Sequence, residues 1–473
     1  MRFFYFMLIE RLGEKCGIFG VYSPGYEAAR LTHSGIFTLQ HRGQESAGIV
    51  TSDESRLYLH KGMGLVTHVF DENTITTLLG FTGIGHTRYS TSKGSNLKHA
   101  QPVMREDGIL ALAHNGNLPS TIVLETYLRE NGLQLNFSND SEMMADVLGY
   151  FLRKGASLEE AIKEAYPLFT GAFCLAILTH DKLAVVRDEK GIRPLSYGKL
   201  NGGYVFASET CALDVVQAEY IGDVKPGEMI VVDEYGIHNY QLKSGEQKLD
   251  IFEFVYFARP DSMLLGKSVY VVRYNFGQQI AKESPVDADV VIPVPDSAIP
   301  AANGYSQISG IPCHPALTKN RYIHRTFIEP VQQLREQSVR MKLNPIPELI
   351  RGKRVIIIDD SIVRLTTMGP IVNLLRNAGA KEVHVRISSP PVRYPDYYGI
   401  DTHNQNELAA AKFTVPEICE RIKADSLAYL SYKGMIEATG LPEDVFNTSC
   451  FTGIYPIDIR ERAGEIVHFP TYE

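Results

Sequence analysis

The sequence predicts two domains of different class: a β-rich α+β N-terminal part, with helices against its sheets, and an α/β C-terminal part built on a parallel sheet. Three observations carry this. Short apolar runs recur between turn residues from Cys16 to about residue 235. Further on, aliphatic runs alternate with helical segments, the pattern of strands buried on both faces. Between the two regimes lies a polar stretch, QLKSGEQKLD, at Gln241–Asp250. The length of 473 residues agrees, since roughly 150 residues per domain gives two to four domains.

In the N-terminal part the expected strands are Cys16–Tyr22, Gly48–Thr51, Leu57–His60, Ile84–Thr87, Ile109–Ala113, Ala172–Leu178, Leu183–Val186, Tyr204–Ala207 and Met229–Val232. Two helical patterns interrupt them, Glu142–Arg153 and Leu158–Leu168, where apolar residues recur at three- and four-residue spacing. In the C-terminal part Val290–Val294, Val355–Ile358 and Val383–Ile387 read as buried strands, with Gly369–Asn377 as one of the intervening helices. Such sheets bind ligands beyond the carboxyl ends of their strands.

Composition narrows the function classes. Hydrophobic residues make up 44% and charged residues 22%, the usage of a soluble globular chain rather than a disordered, collagen-like or coiled-coil one. Lys+Arg 47 against Asp+Glu 55 leaves a net charge of -8, which argues against non-specific nucleic-acid binding. Six cysteines (Cys16, Cys174, Cys211, Cys313, Cys419, Cys450) include no CxxC pair, so neither a disulfide framework nor a zinc site is expected. A reducing cytoplasm is the expected location. The opening MRFFYFMLI is apolar, but Glu10, Arg11, Glu14 and Lys15 follow at once. No apolar run reaches the roughly 18 residues of a membrane span, so neither a signal peptide nor a membrane segment is expected.

Taken alone, Cys16 reads as a buried structural cysteine. Three further strings follow it in order: LQHRGQESAGIV (Leu39–Val50), GHTRYST (Gly85–Thr91) and AHNGNL (Ala113–Leu118). Each alone reads as a tight turn. Together they resemble the class II glutamine amidotransferase domain, an N-terminal-nucleophile (Ntn) hydrolase with an αββα sandwich. The resemblance implies that Cys16 becomes residue one once Met1–Lys15 is removed as a propeptide. It implies catalytic roles for Cys16, Asn115 and Gly116, with Cys16 as nucleophile and the other two as oxyanion hole. Arg88 would bind the glutamine α-carboxylate and Asp140, in SNDSE, the α-ammonium group. A free α-amine explains the processing, because a thiol with pKa near 8.5 needs a base within reach. Asp140 also suits the N-cap of the helix behind it.

RVIIIDDSIVRLTTMG (Arg354–Gly369) is a buried strand, two carboxylates, a polar loop and a helix start. Asp359 and Asp360 fall at the strand's carboxyl end, suited to ribose hydroxyls or Mg²⁺. Ser361, Thr366, Thr367 and the helix N-terminus suit a phosphate. A capped helix with two solvated acids is the alternative. The string resembles the ribose-phosphate loop of type I phosphoribosyltransferases. FEFVYFARPDS (Phe252–Ser262), PVPDSAIPAANGY (Pro293–Tyr305), KNRYIHRTFIEP (Lys319–Pro330) and LREQSVRMKLNPI (Leu334–Ile346) extend the match. With the N-terminal strings they resemble the amidophosphoribosyltransferase family from Cys16 to about Pro456.

That resemblance implies glutamine hydrolysis, passage of ammonia through a sheltered channel, and displacement of pyrophosphate from carbon 1 of phosphoribosyl pyrophosphate to give 5-phosphoribosylamine, the first committed step of purine synthesis. It implies domains at 1–15 (propeptide), 16–245 (amidotransferase) and 246–473 (phosphoribosyltransferase with a C-terminal extension). Phosphoribosyl pyrophosphate would be bound by Asp359, Asp360, Ser361, Arg364, Thr366, Thr367 and Lys342, and Mg²⁺ by Ser297, Asp359 and Asp360. Arg335, Arg340 and Lys342 would lie in the loop closing over the diphosphate. A homo-oligomer is expected, with purine nucleotides as feedback inhibitors. Two rivals are weaker: a sugar-isomerase amidotransferase, which the DDSIVR loop opposes, and a non-catalytic regulatory homologue, which the intact glutaminase set opposes.

Two features depart from the family pattern. Leu365 stands where the phosphate loop usually has glycine. Either the loop needs no positive φ here, or phosphate binding is weakened. Some members hold a [4Fe–4S] cluster on four cysteines. Motif position places Asp250, Asp396, Asn447 and Cys450 there, and with one thiol no iron–sulfur cluster is expected.

Overall fold

A computed structural model describes residues 16–89, 96–133, 139–320, 342–400 and 402–469. The expected propeptide, Arg335 and Arg340 lie outside the described residues.

The N-terminal strands alternate side chains between two buried faces, and this alternation builds four layers. In Gly17–Tyr22, Phe19 and Val21 face one core while Ile18 and Tyr22 face another. One antiparallel sheet has seven strands, with Gly17–Tyr22 paired between Gly203–Ala207 and Thr82–Arg88. The second has six, with Ala111–Asn117 paired to Ala172–Leu178. Ile18, Ile84, Ala113, Cys174 and Phe206 pack between the sheets. The helix Ala28–Thr38 covers the outer face of the first sheet, and Asp140–Arg153 with Leu158–Ala165 covers the second. The result is the αββα sandwich expected.

The last strand of these sheets is Gly236–Gln241. Further along, four parallel strands run in the order Val290–Pro293, Arg354–Asp359, Glu382–Ile387, Ser426–Tyr429. Val355 and Ile357 point into one core, Ile356 and Ile358 into the other. Helices Val269–Glu283 and Ile299–Ser309 lie on one face, and Met368–Asn377 on the other. This is the parallel α/β sheet expected. No helix among the described residues is long and apolar enough to cross a membrane.

Candidate active site

Cys16 immediately precedes the first strand, next to the carboxyl end of Thr82–Arg88 and to the strand carrying His-Asn-Gly. These three strands converge on a cavity of about 340 Å³ lined by Cys16, Arg88, Asn115, Gly116 and Asp140. The structure therefore brings together every residue that the sequence assigned to glutamine. Burial pushes the Cys16 thiol up, only partly offset by the nearby Arg88 guanidinium and a Tyr89 backbone hydrogen bond. A thiol so placed needs a base.

Gly116 has φ +150, and a Cβ there would lie 2.0 Å from the Ala172 carbonyl oxygen, so only glycine fits. Asn115 is fully buried, its Nδ2 donating to Ser208 Oγ at 3.4 Å and its Oδ1 without a partner. Arg88 donates to Glu45 at 3.3 Å. Asp140 is not the helix cap. Asn139 takes that role, accepting from the Glu142 N–H, and Asp140 is the first helical residue. Its carboxylate accepts from the Ser141 and Leu118 N–H groups and stands 3.8 Å from His114 Nδ1. His114 and Gln101 share hydrogen bonds with Ser141, which ties this corner together.

The second cluster lies at the carboxyl ends of the parallel strands. Asp359 and Asp360 are both 5% exposed. Asp360 accepts from the Ser297 hydroxyl on the neighbouring strand's loop and from Ser361 Oγ at 2.7 Å. Thr366 and Thr367 lead into the helix Met368–Asn377. Arg364 is held by Glu407, with donor distances of 2.7 and 3.1 Å. Lys342 opens the short strand pair Leu317–Lys319 and Leu343–Pro345, its carbonyl accepting from the Asn320 N–H.

The glutamine amidotransferase domain family matches residues 86–215 and the phosphoribosyl transferase domain family residues 272–392. An amidophosphoribosyltransferase of Synechococcus elongatus is 49% identical over 459 residues, covering 96% of this chain and 93% of that protein. The chain belongs to the amidophosphoribosyltransferase family. An enzyme of the same name from Bacillus subtilis is 44% identical, covering 96% of each chain. The solved structure of the Bacillus subtilis glutamine phosphoribosylpyrophosphate amidotransferase, complexed with ADP and GMP, is 43% identical with a TM-score of 0.88, covering 94% of this chain and 98% of that one. The family's members are pentosyltransferases, and their reaction is the first step of purine biosynthesis.

Backbone angles and side-chain contacts bear on both departures. Among the described residues, the non-glycine residues with positive φ are Glu54, Gln217, Leu265, Lys423 and Arg460. Leu365 is not one, and its side chain packs against the core beneath the sheet. The loop therefore needs no left-handed residue there. Asp250, Asp396, Asn447 and Cys450 are all nearly fully buried. Arg193 lies 3.0 Å from Asp250 and 3.9 Å from Asp396, while Asp250 pairs with Asn447 between short parallel strands. This set offers one thiol and is bound to a guanidinium, so it does not fit an iron–sulfur cluster. For Mg²⁺ the donors do fit: two carboxylates and a hydroxyl leave the remaining coordination to substrate oxygens.

Sequence reading missed Ser208, Glu407 and Gly399. Among the described residues of the C-terminal half, Gly399 alone lines the cavity that holds Cys16. Each acts across a long sequence separation, which no local string reveals.

Proposed function

We propose that the chain hydrolyses glutamine with residues 16–245 and aminates phosphoribosyl pyrophosphate with residues 246–473. Convergence of Cys16, Arg88, Asn115, Gly116 and Asp140 on one cavity supports the first assignment. The Cys16 sulfur attacks the glutamine side-chain carbonyl, its proton passing to the free α-amine of the processed chain and on to the departing ammonia. The Gly116 N–H and the Asn115 amide receive the oxyanion. Arg88 exchanges its Glu45 contact for the substrate α-carboxylate, and Asp140 takes the α-ammonium group. Water then releases glutamate from the thioester.

Ammonia moves through a sheltered path to the second site. Released to water, it would become ammonium and cease to be a nucleophile. Ser361, Thr366, Thr367 and the first N–H groups of Met368–Asn377 hold the 5-phosphate. Asp359 and Asp360 orient the ribose hydroxyls, Arg364 keeps the loop closed through Glu407, and Lys342 faces the diphosphate. Mg²⁺ held by Ser297, Asp359 and Asp360 would neutralise charge on the pyrophosphate leaving group. The enzyme works in the cytoplasm as a homo-oligomer, with purine nucleotides as feedback inhibitors. ADP and GMP in the Bacillus subtilis structure support the last point.

Pyrophosphate release measured with glutamine, and separately with ammonia, tests this. Intact mass should show Cys16 as residue one. Cys16→Ala should abolish glutamine-dependent synthesis and leave the ammonia-dependent rate unchanged. Full glutaminase activity in a chain retaining Lys15 would refute the α-amine as base.

A further inference from the structure

Among the described residues lining the glutamine cavity, one does not come from the N-terminal sandwich. Gly399, with φ +114, lines the cavity, and it belongs to a stretch beyond the third parallel strand. That stretch is tied down on both sides. The Asn117 side chain, one residue past Gly116, donates its Nδ2 to the Tyr397 carbonyl at 2.8 Å. Arg193, fully buried, reaches the Tyr398 carbonyl at 3.3 Å. From within, Asp396 Oδ1 accepts from the N–H groups of Tyr398 at 2.9 Å and Ile400 at 2.7 Å, fixing the turn around Gly399. Tyr397 and Tyr398 are 3% and 0% exposed, packed with Ala172 and Ile192 of the sandwich.

From these contacts we infer that the segment 396–400 is a working wall of the glutamine site, and that Asn117 is the positioning residue that sets its distance from the oxyanion hole. The inference rests on the cavity being the glutamine pocket. The physical argument is one of reach. Asn117 ends the strand whose preceding residues form the oxyanion hole. A hydrogen bond from its side chain therefore couples the wall's position to the atoms that hold the substrate amide. The same segment continues to Glu407 and Ala409, which bond Arg364 and the Val363 carbonyl of the phosphate loop. One short run of chain thus borders both sites.

The test uses the processed full-length enzyme. Asn117→Ala removes the donor, and Asn117→Asp keeps the shape but presents only an acceptor to the Tyr397 carbonyl. Both should raise the glutamine KM about 3- to 10-fold, the effect of one lost hydrogen bond. Both should slow alkylation of Cys16 by a diazoketone glutamine analogue by a similar factor. Ammonia-dependent synthesis should not change. In the wild-type enzyme, alkylation of Cys16 should slow amide exchange in the peptide spanning 396–400. Wild-type KM and labelling in both variants, or unchanged exchange in that peptide, would overturn the wall and leave the pocket standing. A wild-type enzyme whose Cys16 ignores the analogue would overturn the pocket itself.

Discussion

At Asn115 the buried amide has an unpartnered Oδ1 while its Nδ2 faces Ser208 Oγ. The same Ser208 oxygen accepts from the Ile18 N–H at 3.0 Å, so its own proton is free to donate. Turning the amide by 180° would give that proton to Oδ1 and release Nδ2 from Ser208, freeing the donor an oxyanion hole requires. Ser208→Ala should therefore lower glutaminase kcat by about 10-fold, less than the roughly 10²–10³ lost when an oxyanion donor itself is removed, and leave ammonia-dependent synthesis intact. Steady-state kinetics with each nitrogen source would show it, and an unchanged kcat would rule out the role. Leu365 gives a prediction whose sign the structure fixes. With no positive φ to relieve and a packed side chain to lose, Leu365→Gly should weaken phosphoribosyl pyrophosphate binding and not tighten it. A titration reporting tighter binding would contradict this. Cys16, Arg88, Asn115 and Gly116 were legible because their strings follow one another in a set order, and Asp140 only through the family resemblance those strings carry. Ser208 was not, since nothing in its neighbourhood names Asn115 as its partner.

Among the elements, the phosphate loop shows how a strand end and a helix start become a site. Arg354–Asp359 stops at the two buried carboxylates Asp359 and Asp360, and the helix begins at Met368. The loop between is braced by Glu407 on Arg364 and by the Ala409 N–H on the Val363 carbonyl at 2.8 Å. Glu407→Ala should raise the KM for phosphoribosyl pyrophosphate about threefold, a size suited to an ion pair open to water on one side, with the glutamine KM unaffected. An unchanged KM would mean that the loop holds its shape alone. The apolar strands of both domains were legible, but Ser196–Leu200, Glu219–Asp223, Gly236–Gln241 and the fourth parallel strand, Ser426–Tyr429, were not, because they are partly exposed and carry mixed polar sequences. Nor were several helices. Val269–Glu283 begins VYVV, which reads as a strand, yet Ser268 caps it and it crosses Ile299–Ser309 closely. Gly277 and Gly304 make that crossing possible: a Cβ on either would lie about 2 Å from the other helix's backbone. Ala28–Thr38 hides similarly, because Gly35 exists to admit the Phe19 ring and leaves no helical signature.

On the scale of the whole molecule, the two domains meet over buried charge. Arg42 binds Glu209 and Glu253 at 2.6 and 2.7 Å, with His41 also on Glu209. Arg193 binds Glu253, Asp250 and Asp396. Four carboxylates thus face two guanidinium groups and one imidazole. Burial pushes Asp250 up to about 7 from an ordinary 3.8, with Arg193 opposing and Asp396 and Glu253 adding to the rise; Asp396 is raised by burial too. The folded chain therefore keeps a proton on this pair that the unfolded chain has already released. Stability from the pair is full below the ordinary carboxylate pKa and falls as pH rises toward about 7. His86 acts with the opposite sign: burial lowers it from 6.5 to about 3, so its contribution is lost as pH falls through that window. Asp250→Asn removes the first effect and leaves the second. Thermal midpoints of wild type and variant, taken from pH 5 to pH 8, should diverge, the wild type falling relative to Asp250→Asn as pH rises. Parallel curves would show that Asp250 is ionised throughout and that Arg193 fully compensates its burial.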